Sequence, residues 1–246
     1  MTAPWLEPVR GVLDRRATPV DVFFRDDDAG WDDAALGRLL DVFERNGAPI
    51  DLAVIPEALG DGLAEELIAR RRRSGVRLHQ HGFAHVNHQL SGRKGEFGSD
   101  RSVEELRADV ATGWGRLSDM LGDALDPVFT PPWNRCADAL GDVLVDIGIG
   151  VLSRDLSAGR IGTPGLAEVP IAVDWFAAPK GSERTAATLA DALASSMAGP
   201  GPVGIMLHHA VTSNEELAAI ADLVTLLVRH PRTRLTSIVQ LAGGAN

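Results

Sequence analysis

Short apolar runs alternate with amphipathic segments along most of the chain. Strands are predicted where a brief apolar run is bounded by turn residues, at 19–24, 49–56, 76–79, 126–134, 148–153, 167–176 and 202–209. Helices are predicted where apolar residues recur at helical spacing, at 32–46, 63–73, 103–121, 136–147, 185–197 and 214–229. Strands that alternate with helices indicate βα units and a parallel sheet.

The number of predicted strands bears on the fold class. Seven or eight strands in 246 residues favour a (β/α) barrel, complete or partial, over two small domains. No internal repeat, low-complexity tract or long linker divides the sequence. We therefore expect a single α/β domain over residues 1–246, a distorted barrel of about seven parallel strands.

Polar and aromatic residues directly follow five of the predicted strands. They are Asp26-Asp27-Asp28, the pair His81 and His85, Pro131-Pro132-Trp133, Asp174-Trp175 and His208-His209. The carboxyl ends of parallel strands lie on one face of an α/β fold, and active sites are built on that face. The sequence thus predicts that these distant segments meet at one site.

Two of these segments have the residue types of a metal site. His81 and His85 are four residues apart, so a helical turn or a tight helix-like loop would point both imidazoles the same way. Such a pair is more often a solvated helix face, and a capped turn explains one or two of the three aspartates. Three consecutive acidic residues repel one another, however, unless a cation neutralises them. One carboxylate with two imidazoles forms a three-ligand site open to water, as in catalytic zinc centres.

The same segments could supply proton transfer. A second carboxylate beside such a site can act as a general base. His208 ends the apolar strand GIMLH and could protonate a leaving group from across the pocket. A lone histidine at a strand end is more often structural.

Composition excludes some classes of partner. The formal net charge of −10 argues against a nucleic-acid-binding surface, and the basic run Arg70–Arg73 fits the end of a helix. A single cysteine, Cys136, excludes an intrachain disulfide. The first residues lack the pattern of a signal peptide, and no apolar run approaches the roughly 18 residues that span a bilayer. The expected location is therefore the cytoplasm, without membrane insertion.

Five short motifs follow one another along the chain. FFRDDDAG, HGFAH, FTPPWN, VDWF and MLHH resemble the five motifs of the polysaccharide deacetylases, the NodB-homology or carbohydrate esterase family 4 enzymes. The resemblance covers about residues 20–209. It implies a distorted (β/α) barrel that holds a divalent metal, most often Zn²⁺, with Co²⁺, Ni²⁺ or Fe²⁺ as alternatives. It also implies removal of an acetyl or other small acyl group from a sugar or glycan.

The resemblance also implies a role for each matching residue. The metal ligands would be Asp28, His81 and His85, and the catalytic residues would be Asp27 as general base, His208 as general acid and Asp174 as its orienting partner. The substrate would contact Pro132, Trp133 and Trp175: the main-chain amide near Trp133 would bind the oxyanion, and Trp175 would line the acetyl pocket. The register Asp26–Asp27 for base and ligand stays open.

The sequence departs from the family pattern at several positions. Thr130 stands where the family commonly has an arginine that holds the catalytic aspartate, with Arg25 and Arg135 as candidate replacements. Gly82 replaces a usual serine or threonine, the fourth motif matches loosely, and the role of His209 is open. These differences indicate a divergent member. The alternative is a catalytically inactive, carbohydrate-binding relative.

The remaining polar residues near the motifs receive weaker assignments. The loop from Gly92 to Asp100 is a candidate lid or substrate contact through Lys94, Glu96 and Phe97. His79 and His88 are expected outside the metal ligands, and Cys136 is given no role.

Overall fold

A computed structural model describes residues 3–177 and 183–244 of the chain. The strands in these residues are β1 (Val20–Ala29), β2 (Ile50–Val54), β3 (Val76–His81), β4 (Leu125–Thr130), β5 (Val151–Leu152), β6 (Ala167–Glu168), β7 (Val173–Asp174), β8 (Val203–Leu207) and β9 (Thr233–Leu235). The helices are α1 (Glu7–Arg15), α2 (Asp33–Asn46), α3 (Asp61–Arg73), α4 (Val103–Leu121), α5 (Leu140–Ile147), α6 (Ala186–Ala198), α7 (Asn214–Arg229) and α8 (Ile238–Gly243). None of these helices is long and apolar enough to cross a membrane.

The strands form one curled parallel sheet. Its order is β6-β5-β4-β3-β2-β1-β8-β7, and β9 pairs with the start of β1. The two edges of the sheet, at β6 and β7, are joined by the extended segment between these strands. In that segment the Ile171 amide donates to the Arg154 carbonyl on one side, and the next amide, of Ala172, donates to the Gly204 carbonyl on the other. The sheet therefore curls into the predicted distorted (β/α) barrel.

Alternate residues of each strand face opposite sides of the barrel wall. On β1, Val22 and Phe24 pack outward in the large core between the sheet and the helices. Phe23 faces inward, in an interior core that includes Ile171, Met206 and Ile238. Ile238 begins α8, so this helix packs on the barrel interior from the amino ends of the strands. The chemistry-bearing residues lie at the opposite, carboxyl end.

The first strand is longer than its apolar run predicts. β1 extends through Arg25 and all three aspartates to Ala29, and these charged residues are almost fully buried. Burial of charges requires partners. Arg25 pairs with Asp27, and Asp26 pairs with His209, so the strand continues into the barrel mouth instead of ending at Phe24.

Two further boundaries differ from the sequence prediction. The helix expected from Cys136 begins at Leu140, and Cys136 instead forms a bridge with Phe97. The strand predicted for 167–176 is interrupted between β6 and β7, where Pro170 lies and the segment changes its partner from β5 to β8. The short α8 has no counterpart among the predicted helices.

The predicted lid segment is anchored to the fold. Glu96 and Phe97 are fully buried, and the Phe97 ring packs edge-on against Phe129 at 5.3 Å. The exposed part of this segment is limited to Gly92, Arg93 and Lys94 at one end and to Asp100 and its neighbour at the other.

Candidate active site

The predicted site residues come together at the carboxyl ends of the strands. Asp27 and Asp28 lie at the end of β1, His81 ends β3, and His208 directly follows β8. Asp28, His85, Trp133 and Asn134 all have positive φ angles, between 56° and 70°. Left-handed conformations at four non-glycine residues are energetically unfavourable, and such strain concentrates at functional sites.

Asp28, His81 and His85 form a compact three-ligand group. Asp28 Oδ1 is 3.1 Å from Nε2 of His81 and 3.1 Å from Nε2 of His85. All three potential ligand atoms lie within 4.8 Å of one another. The His81 Nδ1–H donates to the Thr130 carbonyl at 3.0 Å, which leaves Nε2 to face Asp28. A carboxylate and two imidazoles oriented in this way suit a divalent cation such as zinc.

The pKa values of Asp28 and His81 are both displaced from their usual ranges. Burial raises the pKa of Asp28, but the contacts of His81 and His85 outweigh it and hold the pKa of this carboxyl well below its usual range. Burial similarly lowers the pKa of His81, while Asp28 and Asp27 raise it, and the net shift is upward. The pocket thus keeps Asp28 ionised at all physiological pH values and favours positive charge beside it.

Arg25 holds Asp27 in a bidentate ion pair inside the barrel. Its Nε and Nη2 atoms donate to the two carboxylate oxygens at 2.7 and 2.9 Å. The same guanidinium donates to the Ser153 hydroxyl at 2.9 Å and to the Asn134 side-chain carbonyl at 2.7 Å. Of the two candidate replacements for the missing family arginine, Arg25 therefore contacts the aspartate, whereas Arg135 donates to the Lys94 carbonyl.

The surroundings of Asp27 keep it ionised as well. Burial raises its pKa, but the charges of Arg25, His81 and His208 together hold the pKa below its ordinary value. An ionised carboxylate fixed next to the three-ligand group can accept a proton and is available over the whole neutral pH range.

Asp26 has a structural partner away from this group. Its carboxylate accepts from the His209 amide at 2.9 Å and from the His209 Nδ1–H at 2.6 Å, and both side chains are fully buried. His209 Nε2 donates to the Trp31 carbonyl at 2.5 Å. Burial opposes a charge on His209, but the Asp26 carboxylate outweighs it and raises the pKa of His209 to about 9. The geometry thus favours Asp27 as the base and Asp28 as the metal ligand over the alternative register, Asp26 as base and Asp27 as ligand.

Glu96 organises the turn that carries His85. Its buried carboxylate accepts from the amides of Phe83 at 3.1 Å and Ala84 at 2.8 Å. Gly82 has φ +55°, and a Cβ there would lie 2.1 Å from Glu96 Oε2 and 2.6 Å from the Pro132 ring. The absence of the family's serine or threonine at Gly82 therefore follows from this packing. In the sequence Glu96 is one charged residue in a polar loop, and its spacing does not indicate this function.

Two tryptophan rings flank His85. Trp31 and Trp133 lie with ring centroids 4.8 and 4.4 Å from that of His85. Trp31 is 41 % exposed and lies outside the five motifs, directly after FFRDDDAG. Pro132 is buried, and no hydrogen bond within the described part of the chain uses the Trp133 amide. This amide is free to bind a ligand oxygen.

The fourth motif is arranged differently from the prediction. The Asp174 carboxylate accepts from the Phe176 amide at 2.9 Å, and no hydrogen bond or ion pair among the described residues joins it to His208. Trp175 points away from the barrel mouth, is 1 % exposed, and packs edge-on against Trp5 at 6.1 Å. It therefore does not line the pocket. Phe176 does reach the site, with its ring 5.9 Å from that of His208.

His208 faces the three-ligand group from the opposite wall. Its Nε2 lies 4.0 Å from Asp28 Oδ2, and its side chain is 27 % exposed. The imidazole thus lies close to Asp28 and is accessible from solvent. His208 can therefore exchange a proton with a bound molecule.

The other histidines near the motifs lie outside this group. His79 Nε2 bonds to the Thr130 hydroxyl at 2.9 Å inside the barrel. Burial, together with the charge of Arg25, lowers the pKa of His79 to about 3, so this imidazole is neutral. His88 is exposed. Cys136 is half-buried, and burial raises the pKa of its thiol to about 11, which makes it unreactive.

Comparison with solved structures identifies the class of fold. A Mycobacterium smegmatis protein assigned as a polysaccharide deacetylase superposes with a TM-score of 0.70 at 16 % identity, over 94 % of this chain and 91 % of that one. A family 4 acetyl xylan esterase from Clostridium thermocellum, solved with a cobalt ion, gives 0.60 at 17 % identity over 90 % and 89 %. A pseudoenzyme of carbohydrate esterase family 4 from Bacillus anthracis gives 0.61 at 13 % identity over 92 % and 66 %.

The chain therefore has the fold of the polysaccharide deacetylases and family 4 carbohydrate esterases. No protein-family profile matches the sequence, and no curated protein matches it. At these identities the likeness shows the fold, and any activity has to be argued from the site.

Proposed function

We propose that this protein is a metal-dependent hydrolase that removes an N-acetyl or other small acyl group from a sugar or glycan. The observation that carries the proposal is the arrangement of Asp28, His81 and His85 beside Asp27, with His208 opposite. All five residues are at least half-buried, yet the group opens to solvent through His208, whose side chain is 27 % exposed. The proposed catalytic domain is the barrel as a whole, residues 1–246.

The metal ligands in this proposal are Asp28, His81 and His85. The donor set of one carboxylate and two imidazoles favours Zn²⁺, and it also accepts Co²⁺, Ni²⁺ or Fe²⁺. When bound, such an ion supplies a Lewis acid and lowers the pKa of water. The cobalt ion in the Clostridium thermocellum esterase is consistent with this choice of metals.

Asp27 is the proposed general base. Arg25 fixes both of its oxygens, so its orientation is set before a substrate binds. It accepts the proton of the attacking water, and the charge of Arg25 compensates the negative charge of the carboxylate before that transfer. The low pKa of Asp27 makes it a weak base, and a metal held by Asp28, His81 and His85 would offset this by making water more acidic.

His208 is the proposed general acid. It carries a proton to the leaving amine from across the pocket, and Phe176 packs against its ring. The free Trp133 amide is the proposed donor to the oxyanion, where a fixed hydrogen bond stabilises developing charge. Asp174, at the end of β7, is proposed to act indirectly. Its carboxylate accepts from the Phe176 amide and so positions the Phe176 ring beside His208.

The alternative of an inactive, carbohydrate-binding relative rested on the missing family arginine. Thr130 does occupy that position, but Arg25 makes the bidentate contact to Asp27 from another strand position. The main argument for inactivity is thereby weakened, and the hydrolase remains the preferred proposal. The proposed substrate is an acetylated sugar or glycan in polysaccharide metabolism, and the proposed location remains the cytoplasm.

The test separates metal binding from turnover. We expect Asp27→Asn to retain bound metal but to lose about 10²–10⁴-fold in turnover, because the neutral amide cannot accept the proton. His81→Ala is expected to lose the metal as well as the activity. Metal content is measured by elemental analysis, and activity is measured with an acetylated amino sugar and an activated acetate ester.

Asp119→Asn, an exposed carboxylate on α4, serves as the control. Full activity of Asp27→Asn would reject Asp27 as the base. Absence of hydrolysis by the metal-loaded wild-type protein on every acylated substrate would favour the inactive relative.

A further inference from the structure

Three cationic side chains form a cluster beside the candidate site. Arg93 and Lys94 lie on the segment between β3 and α4, and Arg135 follows the Pro-Pro turn after β4. We call these three residues the basic rim. Within the described residues none of them has an acidic partner at ion-pair distance, whereas Arg101 on the same segment pairs with Asp109.

Hydrogen bonds fix the backbone that carries the basic rim. Arg135 Nη1 donates to the Lys94 carbonyl at 3.0 Å and so ties the two segments together. The next residue, Gly95, accepts from the His88 amide at 3.0 Å and donates to the Asn87 side chain at 2.9 Å. The buried Glu96 follows directly. The charged side chains of the basic rim therefore project from backbone that is held in place by hydrogen bonds.

The basic rim is adjacent to the proposed metal ligands. Lys94 Nζ lies 6.0 Å from the centroid of the Trp133 ring, and that ring lies 4.4 Å from the ring of His85. One side chain thus separates the nearest cation from a metal ligand. A sugar that stacks on Trp133 with its acyl group at the metal ligands can place another substituent at the rim.

The charge of the rim contrasts with that of the whole protein. The chain has a formal net charge of −10, yet here three cations are grouped without a counter-ion among the described residues. Burial lowers the pKa of Arg135, and repulsion by the neighbouring charge of Arg93 acts in the same direction. An anionic ligand removes this repulsion, and guanidinium pairs bind phosphate and carboxylate in a bidentate manner.

We propose that the substrate is an acylated sugar that carries an anionic group, phosphate or carboxylate, and that the basic rim binds this group while the acyl group lies at Asp28, His81 and His85. The inference rests on the proposed hydrolase function and specifies its substrate class. Arg93, Lys94 and Arg135 are then specificity determinants. They act by binding the substrate beside the reacting bond.

The experiment measures equilibrium binding to the chelator-treated protein, so that phosphate cannot bind to a metal. The probes are N-acetylglucosamine, N-acetylglucosamine 1-phosphate and N-acetylmuramic acid, titrated by calorimetry at low salt. We expect at least one anionic probe to bind about tenfold or more tightly than the neutral sugar. The phosphate and carboxylate probes show which anion the rim selects.

In the variant Arg93→Gln/Arg135→Gln, the ratio of affinities for the anionic probe and the neutral sugar is expected to fall about fivefold or more. Arg38→Gln/Arg45→Gln, which removes the same charge from exposed positions on α2, is expected to keep it. If the three probes bind alike, or none binds, the inference is overturned. Hydrolysis of an activated acetate ester by the metal-loaded protein tests the proposed function separately, because that ester is neutral.

Discussion

Arg25 is the residue on which the proposed base depends most directly. It is 0 % exposed and donates to Asp27, Ser153, Asn134 and the sulfur of Met206, so its donors are used on four sides. A buried guanidinium with this many partners is both a structural and an electrostatic element, because it orients Asp27 and lowers the pKa of that carboxyl.

We predict that Arg25→Lys lowers kcat/KM at neutral pH by about tenfold or more. In the pH–rate profile of kcat/KM, the acidic limb should move to higher pH. Lysine keeps the charge but cannot donate to both carboxylate oxygens, so Asp27 loses its fixed orientation and turnover falls. The pKa of Asp27 also rises toward its ordinary value. Asp27 is then protonated at a higher pH than in the wild type. A pH–rate profile, with elemental analysis to verify bound metal, makes the measurement.

Arg45→Lys, at an exposed site on α2, is the matched control. A variant with an unshifted acidic limb and intact metal content would show that Arg25 does not act through Asp27.

The sequence predicted the identity of the metal ligands better than their conformation. Four-residue spacing suggested a helical turn or a tight helix-like loop for His81 and His85. In the structure His81 ends a strand, and His85 lies in the turn that follows, with φ +58°. That turn is imposed by Glu96, which is eleven residues further on than His85. Local periodicity contains no information about such a partner. The same applies to Trp175, whose orientation depends on the register of β7 against β8.

At the scale of elements, β1 and β2 show how buried charges alter the strand pattern. The sequence predicts both strands from apolar runs, but Asp51 on β2 is 1 % exposed inside the barrel. Its carboxylate accepts from the Ile238 amide at 3.1 Å, at the first residue of α8. A single buried acid therefore fastens α8 at the amino end of the barrel. This contact explains a short helix that apolar periodicity alone does not predict.

Burial raises the pKa of Asp51 to about 7, with Asp126 contributing in the same direction and Ile238 and Arg77 opposing it. The folded state therefore binds this proton more tightly than the unfolded state, whose aspartate pKa is about 3.9. Below about pH 4 the carboxyl is protonated in both states. As the pH rises from about 4 to about 7 only the unfolded state ionises, so Asp51 reduces the free energy of unfolding over this window.

We predict that Asp51→Asn removes this dependence of the free energy of unfolding on pH. Asparagine can still accept from Ile238 but does not ionise, so the variant should exceed the wild type in free energy of unfolding by about 2–4 kcal/mol at pH 8. The difference should largely disappear near pH 4–5. Urea denaturation of both proteins across this pH range provides the measurement, and Asp119→Asn is the control for loss of one exposed charge. A constant difference at all pH values would contradict the prediction.

At the scale of the molecule, the site exists only in the folded barrel. Its proposed metal ligands come from β1, from the end of β3 and from the turn that follows β3, and the proposed general acid is the residue after β8. The parallel sheet and its barrel form could be anticipated from the alternation of apolar and amphipathic segments. The closure of the barrel by the segment between β6 and β7 could not, because it depends on a change of partner within one extended segment.

Because the ligands are assembled by folding, a metal that binds them must stabilise the whole domain. At a free metal concentration 100 times Kd the gain is about 2.7 kcal/mol, which corresponds to a rise in Tm of about 5–10 °C for a domain of this size. We predict this rise when Zn²⁺ is added to the chelator-treated wild type, measured by scanning calorimetry. His81→Ala should show little or no rise, because a ligand is missing.

His88→Ala is the matched control, since it removes an exposed histidine three residues beyond His85 and should retain the full rise in Tm. If His88→Ala lost the rise as completely as His81→Ala, the metal would be held by the histidine-rich segment in general and not by the three-ligand group. If the wild type showed no rise with Zn²⁺, Co²⁺, Ni²⁺ or Fe²⁺, the proposed metal dependence would be wrong. The positive φ angles at Asp28 and His85 would then need another explanation.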